Sequence, residues 1–101
     1  MSASTETGNT SIRFPGSKTF QNAAKLAVID DKPIMLDYWK DSLNQSVFIG
    51  VKENNEKLLV KNEEEYTSPV TKIYKVDNEY LIVTENSIYL VDNSINTKRI
   101  C

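Results

Sequence analysis

Val70-Thr71-Lys72-Ile73-Tyr74-Lys75-Val76, Glu79-Tyr80-Leu81-Ile82-Val83-Thr84 and Ser87-Ile88-Tyr89-Leu90-Val91 follow one another with only Asp77-Asn78 and Glu85-Asn86 between them. Val, Ile, Leu and Tyr dominate each run, and β-branched and aromatic side chains suit a pleated surface. Asn and Asp tolerate the left-handed backbone of tight turns and bond to nearby main chain. Short apolar runs separated by such pairs read as antiparallel hairpins. Asp92-Asn93 closes the series.

Upstream, Asn54-Asn55 separates two further runs. Residues 46–52 place Val47, Ile49 and Val51 on one face, and residues 57–61 carry Leu58, Leu59 and Val60. Residues 33–39 alternate Ile34, Leu36 and Tyr38 against Met35, Asp37 and Trp39, which predicts another strand. Residues 62–69 read as an acidic loop. Gly50 inside a strand marks a bulge or bend. The expected fold is mainly β: a small antiparallel barrel or a strongly curled meander of roughly five or six strands over residues 33–95.

One helix precedes the strands, from residue 19 to about residue 30. Thr19 is the expected N-cap, and Phe20, Ala23, Ala24, Ala27 and Val28 recur at helical spacing. Asp30-Asp31 before Lys32-Pro33 ends it, because a residue preceding proline is pushed out of the helical region. Residues 1–18 form an arm rich in Ser and Thr, with too little apolar surface to offset chain entropy. Ile12 and Phe14 stand out there, just before the turn-forming Pro15-Gly16. The expected organisation is that arm followed by a single small domain, residues 19–101.

Composition narrows function by exclusion. The chain has 101 residues, a net charge of −2 and 26% charged residues, so no global field favours nucleic acid or an anionic membrane. It has no histidine, which removes the usual general base and commonest metal ligand. Its single cysteine, Cys101, cannot form an internal disulfide and does not sit in a prenylation box. No apolar run is long enough to span a bilayer, and the first residues lack a signal-peptide pattern. A soluble, intracellular protein is expected: cytoplasmic, or in a virion if viral.

Four carboxylates, Asp30, Asp31, Asp37 and Asp41, lie close in sequence without calcium-loop spacing. Glu63-Glu64-Glu65 reads as a solvated loop face. No catalytic, cofactor or metal set emerges, and the enzyme class is not expected. What remains is a non-catalytic structural or interaction module that docks into a larger assembly through its arm and an exposed aromatic face. Phe14, Phe20 and Trp39 are its candidate anchors, because large aromatics dominate interface hot spots. A minor virion or capsid-associated protein fits that plan. The alternative is a small barrel binding single-stranded nucleic acid on Tyr66, Tyr74, Tyr80 and Tyr89, with Phe48 and Trp39.

Overall fold

A computed structural model describes residues 12–100. Residues 1–11 of the expected arm, and Cys101, lie outside the described residues.

The chain forms α1 (Ser17–Asp30), β1 (Ile34–Met35), α2 (Trp39–Leu43), β2 (Phe48–Val51), β3 (Lys57–Asn62), β4 (Glu65–Tyr66), β5 (Val70–Val76), β6 (Glu79–Thr84), β7 (Ile88–Asp92) and β8 (Asn96–Arg99). The strands build two four-stranded sheets, and no closed barrel forms among the described residues. Sheet one runs β1-β7-β6-β5 and sheet two runs β4-β3-β2-β8. The β5-β6-β7 meander is antiparallel, as its sequence predicts. Two pairs are parallel instead: β1 with β7 and β2 with β8.

Three layers result. Tyr38, Val47, Ile49 and Leu59 meet Ile82, Val91 and Ile95 in a core between the sheets. Leu81, Val83, Ile88 and Leu90 point the other way, into a second core with Ala23 of α1 and Trp39 of α2. Strands β6 and β7 of sheet one are therefore covered on both faces, whereas β5 is largely exposed, and this is why β6 is apolar almost throughout rather than alternating.

Three local readings change. Only Ile34 and Met35 of residues 33–39 pair in a sheet; the chain then turns, with the Trp39 amide bonded to the Leu36 carbonyl, and Trp39 opens a helix. That turn carries the indole beneath α1, where burial outweighs strand alternation. Gly50 lies in unbroken register with Leu58 and Lys98, so it is no bulge. A Cβ there would come within 2.8 Å of Ile100 Cδ1 and 3.1 Å of Val60 Cγ2, so close approach is its role. Residues 62–69 contain β4, paired with β3 through a bulge, instead of one long loop.

Candidate docking cleft

Helix α1 begins at Ser17, with Gly16 at the N-cap, three residues before the expected cap Thr19. Gly16 brings no side chain to satisfy the free amides, and the first turn holds no acidic residue. Glu79, at the start of β6, supplies both from across the structure. Its carboxylate accepts a 3.0 Å bond from the Gly16 amide and another from the Thr19 hydroxyl. A helix N-terminus favours such a negative charge.

Arg13 completes the cluster by donating to Glu79 and to Asp92 of β7. Burial alone would raise the Glu79 carboxyl. Bonds from Thr19, Gly16 and Arg13, with the Arg13 charge, outweigh it and hold the group below its ordinary value. The Arg13 guanidinium also lies 5.1 Å from the centre of the Trp39 ring, and the Trp39 indole donates a 2.7 Å bond to the Arg13 carbonyl. The segment 12–16 is thereby fastened onto the domain.

Fastening sets the neighbouring aromatics. Phe14, Pro15, Phe20, Leu36 and Trp39 line one open cleft of about 540 Å³. All three expected anchors meet there. Phe14 is 68% exposed, Phe20 stands at the rim, and the nearly buried Trp39 forms the floor. The apolar surface continues along α1 through Ala24 to Val28 and Ile29, which are 83% and 76% exposed. Thr19 and Ala23 are the buried helix positions, so the buried face is rotated from the predicted stripe. Ala24 and Val28 are left on the adjoining, outward stripe.

Sequence reasoning missed Arg13, Leu36 and Glu79. An Arg beside an apolar anchor in an otherwise weakly charged arm is the one available signal. Nothing local links Glu79 to α1, because the contact spans the fold.

The other candidates are placed as follows. Tyr38 and Tyr89 meet edge to face in the inter-sheet core with ring centres 5.0 Å apart, and Tyr80 packs beside them. Tyr66 and Tyr74 line two different clefts. Asp41 lies 3.8 Å from Lys61, and Asp31 caps the end of α1. No group of three or more His, Cys, Asp or Glu side chains among the described residues is placed to hold a metal. No described helix is long and apolar enough to cross a membrane. Compared with known proteins, the chain matches no family model, no curated protein and no solved structure.

Proposed function

We propose that the protein is a non-catalytic interaction module that docks into a larger assembly through the cleft of Phe14, Phe20 and Trp39. One observation carries this reading: three aromatics from separate segments, joined by Leu36, share one apolar recess while Phe14 stays largely in water. An exposed aromatic beside a desolvated floor is how interface anchors are arranged. The occupant suited to the recess is an apolar or aromatic side chain of a protein neighbour, with Val28 and Ile29 extending the contact. A minor virion subunit is one assembly of this kind.

The single-stranded nucleic-acid alternative draws less support. A stacking platform needs several aromatics on one basic face, and these tyrosines divide between the core and two clefts.

The test is a Phe14→Ala/Phe20→Ala/Leu36→Ala variant expressed in the source cells, with native complex mass as readout. We expect wild type in a complex and the variant released as free protein. An unchanged complex removes the assignment. The melting temperature of the purified triple variant, expected near that of wild type because Phe14, Phe20 and Leu36 are partly exposed, separates loss of docking from loss of fold.

A further inference from the structure

Strand β5, with seven residues, is the longest described strand, and it ends sheet one with its outer side unpaired. The other edge strands are short: β1 and β4 have two residues each, and β8 has four. From Lys72 to Val76, β5 keeps regular register with β6, its one irregularity lying before Lys72. Alternate residues of an edge strand turn their amides and carbonyls away from the sheet. Among the described residues, no main-chain group outside β6 bonds to β5, and residues 71–75 are all exposed.

The open side is shaped as well as bare. Tyr74 pairs with Leu81, which belongs to the core under α1, so Tyr74 and Val76 face the helix. Asn22 and Leu26 of α1 approach Tyr74, Lys75 and Val76 and leave a cleft of about 200 Å³, room for one side chain. Ile73, opposite Ile82, faces the other way and is 38% exposed. In strand addition, main-chain bonds give affinity and pockets for alternate side chains give specificity. The β5 edge and the recess beside α1 offer both.

Charge decides what kind of strand fits. Lys72 and Lys75 bracket Ile73-Tyr74, and β5 contains no acidic residue. Their partners on β6 are Val83 and Tyr80, both uncharged. Asp77 lies beyond the strand, in the turn, and Glu79 is held by Arg13. Among the described residues, neither Lys72 nor Lys75 has an ion-pair partner. The β5 edge of a second copy would bring four such lysines to one joint with nothing to offset them. We propose that the β5 edge receives an extended acidic segment of a partner protein as a fifth strand of sheet one. Its residues opposite Lys72, Ile73, Tyr74 and Lys75 are acidic, apolar, apolar and acidic, a pattern that reads the same in either strand direction. This edge is separate from the Phe14–Trp39 cleft, and its failure leaves that assignment untouched.

The test titrates a blocked peptide, Thr-Glu-Leu-Val-Glu-Thr, into the full chain and follows amide chemical shifts and exchange. Wild type should bind it with Kd of about 0.5 mM, since one short strand buries far less than a standard interface. Exchange should slow at the β5 amides that do not bond to β6. The Lys72→Glu/Lys75→Glu variant should bind about tenfold more weakly and prefer Thr-Lys-Leu-Val-Lys-Thr instead. Both lysines are exposed, so its melting temperature should match that of wild type. No binding of the acidic peptide overturns the proposal and leaves Lys72 and Lys75 as guards against edge pairing. Equal binding of the two peptides by wild type overturns it as well, as does binding without protection of β5. Protection of β5 that rises with protein concentration before peptide is added assigns the edge to a second copy, which also overturns it.

Discussion

Glu79 is where the N-terminal segment, the helix start and sheet one are tied together by a single carboxylate. It is only 4% exposed, so its charge is held by these neighbours rather than by water. Because its folded pKa is depressed, the stability it contributes is present above the unfolded value. That stability is lost as pH falls below the ordinary value of 4.5 toward the folded one. Glu79→Gln should lower stability at neutral pH by about 1–3 kcal/mol. It should also flatten the acid limb of a plot of denaturation midpoint against pH. An unaltered acid limb would show that the cluster does not couple to folding. Ser42 ties elements in a neutral way: its hydroxyl donates to the Trp39 carbonyl and accepts from the Asp92 amide, joining α2 to β7.

Among the elements, α1 ends on Asp31 in the left-handed region at φ 56°, with the Lys32 amide returning to the Ala27 carbonyl. Glycine occupies such a position without a Cβ penalty. Asp31→Gly should therefore raise stability by about 0.5–1 kcal/mol, read as a higher denaturant midpoint at unchanged slope. The turn chemistry explains what the sequence made legible. Asn55 and Asp77 do adopt left-handed backbone, and β5 and β6 begin and end where their residue patterns do. At Glu85-Asn86 the turn is held instead by the Thr84 hydroxyl, which accepts from the Asn86 and Ser87 amides. β8 escaped notice because Asn96, Thr97, Lys98 and Arg99 are all exposed and carry no alternation; only pairing with β2 makes them a strand. The aromatic anchors were legible as types. Their meeting depends on the turn at Leu36 and the Arg13 fastening, both tertiary.

At the scale of the whole molecule, the two sheets enclose groups that set the alkaline limit as Glu79 sets the acid one. Burial first, then Tyr89, Glu65 and Asp37, push the Tyr38 hydroxyl up to about 12. Burial and Asp37 raise Tyr89 against a hydrogen bond with Ser87. A group whose folded pKa is raised favours folding fully below its unfolded value, and that contribution disappears as pH climbs through the folded value. For Tyr38 the window runs from 10.0 to about 12. Stability should hold a plateau between the two limits and fall beyond pH 10. Phenolate absorbance should show Tyr38 and Tyr89 titrating later in the native state than in the unfolded chain. Tyr38→Phe should remove the larger part of that delay.

The two parallel pairings also fix an order of assembly. Ile34 waits for Ile88, and Phe48 for Asn96, so an early strand in each sheet has an unfilled side until late residues arrive. A nascent chain can close the β2–β3 and β5–β6 hairpins as they emerge, because those contacts are local. Neither sheet is finished until β7 and β8 have been made. Through most of synthesis the growing polypeptide therefore carries bare strand edges beside apolar side chains, the condition in which unfinished domains stick to one another. Cellular holdases that mask such edges would matter most in the interval just before the last two strands are released.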